Sequence, residues 1–222
     1  MKIFLDTALV EEVEIACATG LIDGVTTNPS LIAKSGKKLE TTIARMCELV
    51  SGPVSAEVIS TTYKEMILEG TNLARISENV CVKVPLTRDG LMACRHLADK
   101  NIDVNVTLCF SAPQALLAAK AGARFISPFI GRLDDLGGIG IQLIRDIIQI
   151  YDHYPNLKTE VLAASIRSPQ HVAEVAKLGT DAVTIPTKVF AQLYQHPLTT
   201  QGIQIFEDDW KNAGLKKVLA AA

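Results

Sequence analysis

The sequence predicts a closed (β/α)8 TIM barrel with an additional C-terminal helix. Three observations carry this. Short apolar runs alternate with segments of 3.6-residue periodicity from end to end. Such alternation implies parallel strands joined by crossover helices. Eight units fit into 222 residues, near the roughly 250 that such a barrel commonly takes. No glycine-rich nucleotide turn follows any strand, which disfavours an open doubly wound sheet, the alternative built from the same units. The nearest match, GGIG at 137–140, lacks the required spacing and reads as a helix start. No Pro/Ser-rich linker or low-complexity stretch divides the chain, so residues 1–222 are expected to form one domain.

The elements follow in order. Lys2–Asp6 and Val25–Asn28 read as the first two strands, dense in apolar and β-branched residues. Leu39–Val50 has helical periodicity and leads to the strand Val54–Ile59. Tyr63–Ile76 is the next helix and Val80–Val84 the fourth strand. Gly90–Ala98 precedes the strand Asp103–Leu108, and Ala112–Ala121 precedes Phe125–Ile130. Ile139–Tyr151 leads to the strand Glu160–Ala164, and Pro169–Leu178 to the eighth strand, Ala182–Ile185. The tail after Gln201 reads as an amphipathic helix with apolar Ile205, Phe206 and Trp210. It is suited to close the barrel bottom or to pack on another subunit. The closing Ala220–Ala222 carry no signal by which to judge them native.

Composition narrows the function. Lys plus Arg number 22 against 24 Asp plus Glu, a formal charge of −2. That balance gives no general attraction to nucleic acid or anionic membrane, while leaving room for a local basic site. No apolar run approaches the ~18 residues of a membrane span, and the N-terminus reads as a strand rather than a signal peptide. The five cysteines form no C-x-x-C pair, and the four histidines show no metal-ligand spacing. These features point to a reduced, cytoplasmic protein without metal or other cofactor.

Side-chain alternation along each strand exposes a pattern. In Val80–Val84 the three valines share one face, and Cys81 and Lys83 share the other. The valines suit the helix layer, so Lys83 points into the barrel. By the same test Ala56 and Val58 face out and Glu57 in. Val104, Val106 and Leu108 face out; Asn105 and Thr107 face in. Ile126, Pro128 and Ile130 face out; Ser127 and Phe129 face in. Thr26 and Asn28 share a face, Asp6 ends the first strand, and Ser165 follows the seventh. A barrel interior prefers branched aliphatics, and its active site lies at the C-terminal mouth. Polar residues recurring near strand ends therefore mark a site.

A lysine in such a place has a chemical use. Desolvation disfavours an ammonium and frees the amine lone pair. A neutral amine attacks a ketone or aldehyde to form a Schiff base, which then stabilises a carbanion at the adjacent carbon. Proton shuttles are required, and Glu57, Thr107 and Asp6 are the candidates. Asn28 and Asn105 are placed to hold substrate hydroxyls. The plainer alternative is that Lys83 makes a structural ion pair with Glu57 or Asp6. Two arginines follow strands at the same mouth: Arg132 in GRLDD, and Arg167 beside Ser165 in SIRS. Each alone suits a surface position. Together they suggest a phosphate clamp, because arginine grips phosphate through two donors. Asp134 and Asp135 read as solvated residues at a helix start.

Six ordered motifs resemble a known family: LDTA (5–8), GVTTNPSLIA (24–33), VKVPLT (82–87), VNVTLCFS (104–111), ISPFIGRLDD (126–135) and VLAASIRS (161–168). They are similar to the transaldolase family, in its short bacterial form that includes the fructose-6-phosphate aldolases. The resemblance implies a metal-free Schiff-base enzyme of the pentose phosphate pathway. It would move a dihydroxyacetone unit from sedoheptulose 7-phosphate or fructose 6-phosphate to an aldose phosphate. It implies Lys83 as covalent nucleophile, Asp6 in proton transfer, and Glu57 and Thr107 on a catalytic water. Substrate contacts fall on Thr26, Asn28, Asn105, Ser127 and Phe129, and phosphate contacts on Arg132, Ser165 and Arg167. Aldolase members carry Gln and Tyr where this chain has Glu57 and Phe129, so the expectation is transfer rather than net cleavage. A Schiff-base aldolase and a non-catalytic sugar-phosphate-binding barrel are the alternatives. The short members also imply a homo-oligomer, a pentamer or decamer.

Overall fold

In a computed structural model of the chain, residues 1–215 and 218 are described. Ala220–Ala222, whose status the sequence left open, lie outside them. The elements run β1 (Lys2–Asp6), α1 (Val10–Cys17), β2 (Gly24–Thr26), α2 (Pro29–Ser35), α3 (Leu39–Leu49), β3 (Val54–Glu57), α4 (Tyr63–Ala74), β4 (Val80–Pro85), α5 (Arg88–Ala98), β5 (Val104–Cys109), α6 (Ala112–Lys120), β6 (Phe125–Pro128), α7 (Ile130–Asp135), α8 (Gly140–His153), β7 (Glu160–Ala163), α9 (Pro169–Lys177), β8 (Ala182–Ile185), α10 (Thr187–Leu193) and α11 (Pro197–Asn212). The eight strands pair in parallel in sequence order, and β8 closes onto β1. This is the (β/α)8 barrel that the alternating pattern predicts. No helix among the described residues is long and apolar enough to cross a membrane.

Two apolar layers explain the closure. Val25, Val54, Val80, Val82, Val84, Val104, Val106, Ile126 and Val183 face outward into one cluster with the helices. Phe4, Cys81, Phe125, Leu162 and Ala182 form a second cluster inside the barrel. Phe4 and Phe125 meet there edge to face, with ring centroids 5.7 Å apart. This interior plug confirms that Cys81, and with it Lys83, points inward.

The strand ends differ from the sequence reading in a consistent way. β2 stops at Thr26, and Asn28 instead caps α2, its Oδ1 accepting from Leu31 N at 3.0 Å. β6 stops at Pro128, and Phe129 precedes α7. At Asn28 the cap replaces further pairing, whereas Phe129 keeps a single parallel bridge to Ala164 before α7 begins. β5 carries a bulge between Val106 and Cys109, where Leu108 adopts φ +61°. The bulge shifts the alternation by one residue, so Cys109, not Leu108, joins the outward cluster. Asp134 and Asp135 end α7 rather than start a helix; Asp134 Oδ1 accepts from Gly140 N, at the start of α8, at 2.7 Å. GGIG does lead into a helix, α8.

Helix starts at the mouth are fixed by short polar side chains. Thr87, Ser111 and Ser168 accept from the backbone N–H groups of Gly90, Gln114 and His171. Gln114 Oε1 reaches back to accept from Phe110 N, just before the Ser111 cap, at 2.9 Å. The tail helix α11 begins at Pro197, earlier than the sequence reading placed it, and buries none of its residues.

Candidate active site

A cavity of about 180 Å³ opens at the C-terminal mouth. Its floor and inner wall are Asp6, Thr26, Lys83, Ser127 and Thr184; Asn28, Phe129, Arg132, Ala164, Ser165 and Arg167 form its upper wall and rim. Nine of these eleven residues are candidates named from the sequence. Ala164 and Thr184 are not among them, although Thr184 shares the inward parity of Ala182 and could have been found by alternation.

Lys83 is 5% exposed. Its Nζ lies 3.0 Å from Glu57 Oε2 and donates to the Thr27 carbonyl at 2.8 Å. Parallel pairing sets this up, because Glu57 and Lys83 stand in register across β3 and β4. The ion-pair partner anticipated for Lys83 is therefore Glu57. A lone pair of charges gains little on balance when buried, since desolvation offsets attraction. What it does supply is a carboxylate within proton-transfer distance of an amine.

Asp6 sits on the same floor. Its Oδ1 accepts from Thr26 Oγ1 at 2.8 Å, and Thr26 Oγ1 lies 2.6 Å from Thr184 Oγ1. Protein encloses the carboxyl on almost every side although a part of the residue opens to the cavity. That burial pushes the Asp6 carboxyl above the ordinary carboxylate range, against the opposing pull of the Lys83 charge and the Thr26 hydrogen bond. Above Asp6, Glu12 Oε2 accepts from Thr7 Oγ1 at 2.6 Å and from Thr187 Oγ1, tying the loops after β1 and β8.

Three candidates stand behind the cavity wall. Asn105 is fully buried; its Nδ2 donates to Ser55 Oγ at 3.1 Å, and its Oδ1 accepts from Ser127 Oγ at 2.7 Å. Both ends of the amide are thus engaged once, which holds Ser127 in place, and one N–H of the amide stays uncommitted. Glu57 reaches the site through Lys83. Thr107 is fully buried, and its Oγ1 has no hydrogen-bond partner among the described residues. A buried hydroxyl left unpaired costs about 1–3 kcal/mol, so Thr107 keeps open bonding capacity one strand away from Lys83. Asn28 has committed its Oδ1 to the α2 cap, which leaves its NH2 group for a ligand.

The rim is cationic. The Arg132 guanidinium stacks 4.8 Å over the Phe129 ring, and Phe129 meets Phe110 edge to face at 5.8 Å. Arg167 Nη2 donates to Asp135 Oδ2 at 2.8 Å. Ser165, which lines the cavity with both arginines, has φ +61° and a buried Oγ without a partner among the described residues. A left-handed non-glycine residue is strained, and such strain gathers at functional sites. Asp135 was not recognised from the sequence; only the fold brings it to Arg167.

No three His, Cys, Asp or Glu side chains converge as a metal set among the described residues. The cysteines are all free. Burial pushes the Cys109 thiol, near the mouth, up to about 11, so it has no thiolate character at neutral pH. A buried amine, a high-lying carboxyl, and guanidinium groups at the rim equip the cavity for carbonyl chemistry on an anionic ligand.

Residues 3–218 match the family described as Transaldolase/Fructose-6-phosphate aldolase. A protein of Caulobacter vibrioides named probable transaldolase is 58% identical over 214 residues, 96% of this chain and 98% of that protein. One of Rhodospirillum centenum with the same name is 56% identical over 214 residues, 96% of this chain and 93% of its own. A probable transaldolase of Bdellovibrio bacteriovorus is 53% identical over 216 residues, 97% of this chain and 100% of that protein.

Proposed function

We propose that this chain, which belongs to the transaldolase/fructose-6-phosphate aldolase family, is a transaldolase that moves a three-carbon ketol unit between sugar phosphates through a Schiff base on Lys83. The observation that carries the reading is the buried Lys83 amine on a cavity floor shared with Asp6, beneath a rim of Arg132 and Arg167.

The steps follow from these groups. Glu57, 3.0 Å from Lys83 Nζ, accepts a proton and frees the lone pair. The amine adds to the ketose carbonyl at C2, and loss of water gives the iminium. Asp6, as carboxylate, takes the proton of the C4 hydroxyl while the C3–C4 bond breaks. Its electrons pass into the iminium and give an enamine, and the aldose phosphate leaves. A second aldose phosphate accepts the enamine carbon, and Asp6 returns its proton to the new alkoxide. Water then hydrolyses the iminium. Thr107, with its open hydroxyl, and Glu57 are suited to hold that water. A carboxyl pushed upward by burial suits a group that must both take and return a proton.

Thr26, Ser127 and Asn28 supply polar contacts for the ketol unit and the sugar hydroxyls, with Asn105 holding Ser127 in place. Arg132, Ser165 and Arg167 bind the phosphate. Phe129 presents no hydroxyl to the enamine, which supports transfer over release of free dihydroxyacetone. We further propose that the chain acts in the cytoplasm, as one domain, and as a homo-oligomer in which α11 contacts a neighbour; no metal or cofactor enters the scheme.

The test is product analysis with fructose 6-phosphate, with and without an aldose-phosphate acceptor. Transfer is expected with the acceptor and little free dihydroxyacetone without it. Equal release of dihydroxyacetone in both would make the protein an aldolase instead. Absence of both products would leave only a binding barrel. Added chelator is expected to leave transfer intact.

A further inference from the structure

The two arginines of the rim are held differently. Arg132 stacks on Phe129 and pairs with no carboxylate among the described residues. Arg167 donates from Nη2 to Asp135 Oδ2 at 2.8 Å. Backbone also lies against the arginine's stem. A Cβ on Gly131 would come within 2.8 Å of Arg167 Cγ and 2.9 Å of its Nε, so the stem lies directly against bare backbone. Asp135 adds a negative charge at the end of a side chain whose stem packs against Gly131.

We propose that Asp135 is a built-in counter-anion: it occupies the Arg167 guanidinium in the empty site, gives way to the substrate phosphate, and thereby sets the affinity for phosphorylated sugars. This rests on the reading of Arg167 as a phosphate contact. A phosphate and a carboxylate seek the same donors of a guanidinium fork. The carboxylate is tethered a few ångströms away, so it competes at high effective concentration. If it stayed in place, its charge would repel the incoming dianion. Its neighbour Asp134 does not substitute for it, being engaged by Gly140 N at 2.7 Å and facing His171 Nε2 at 3.4 Å. Both members of the Arg167–Asp135 pair are about half exposed, with side chains 53% and 58% accessible. The exchange is consequently a modest one, because exposed pairs are weak.

The test uses Asp135→Asn and Asp135→Ala in the full chain. KM for fructose 6-phosphate is expected to fall about two- to fivefold in both, the range an exposed pair supports. Inorganic phosphate should inhibit at correspondingly lower concentration. KM for dihydroxyacetone, a donor without phosphate, should move much less. An unchanged or raised KM for fructose 6-phosphate in both variants overturns the proposal, a rise meaning that Asp135 instead orients Arg167. Arg167→Ala is assayed alongside. If it leaves KM for fructose 6-phosphate unchanged, the phosphate reading falls and the counter-anion falls with it. If it raises KM while the Asp135 variants are neutral, only the counter-anion is wrong.

Discussion

Asp6 shows how a single residue trades stability for chemistry. Its carboxyl is raised in the fold by burial. A raised pKa means that the unfolded chain ionises first as pH increases. The protonated group is favoured by the fold below the unfolded pKa, and that advantage is lost as pH rises through the folded pKa. At pH 7 the raised carboxyl is therefore a burden on the fold. Asp6→Asn, which keeps an acceptor for Thr26, is expected to raise the melting temperature at pH 7. The gain should shrink toward zero below pH 4, while transfer activity is lost. Thermal scans at the two pH values check this; a variant that is less stable at pH 7 would mean the Lys83 and Thr26 interactions outweigh burial. Phe129 makes a second case. Phe129→Tyr would place a donor with pKa about 10 in the cavity wall beside the enamine. The ratio of cleavage to transfer is expected to rise. A lower melting temperature with an unchanged ratio would instead make the ring a packing residue between Phe110 and Arg132.

At the scale of elements, the site depends on how closely loops approach. Gly131 in α7 donates its N–H to the Ser165 carbonyl at 3.1 Å, and a Cβ there would lie only 2.1 Å from that oxygen. Gly131→Ala must therefore separate α7, which carries Arg132, from the loop that carries Arg167. Losing charge-assisted contacts worth about 1.5–3 kcal/mol corresponds to at least a tenfold rise in KM for fructose 6-phosphate. Steady-state kinetics test this, and an unaltered KM would show that the two arginines do not act together. Elements also explain what the sequence could and could not tell. The inward parity of Lys83, Glu57, Asn105 and Ser127 was legible because strand alternation is local and the outward valines mark it. Strand ends were less so: Asn28 looks like a strand residue but caps α2, and Phe129 keeps only a single bridge before α7 begins. The bulge at Leu108 left no sequence signal. Parity shows that Asn105 faces in, but its bonds to Ser55 and Ser127 come only from the fold. The Arg167–Asp135 pair spans 32 positions and follows only from closure of the barrel.

The whole molecule leaves one face unexplained by its own fold. Phe206 and Trp210 on α11 are 73% and 44% exposed, and the helix buries none of its residues against the barrel. An exposed apolar stripe of this kind marks a contact surface. Light scattering is expected to give a mass several times the 23.9 kDa of one chain. The double variant Phe206→Asp with Trp210→Asp should give a smaller species, and a monomeric parent would refute the assembly. The central claim, however, concerns Lys83, and covalent trapping tests it most directly. The protein is reduced with borohydride in the presence of fructose 6-phosphate, and the modified peptide is located by mass spectrometry. The account predicts one substrate-derived mass per chain, on the peptide carrying Lys83. No adduct, or one on another lysine such as Lys188 at the same mouth, would contradict it.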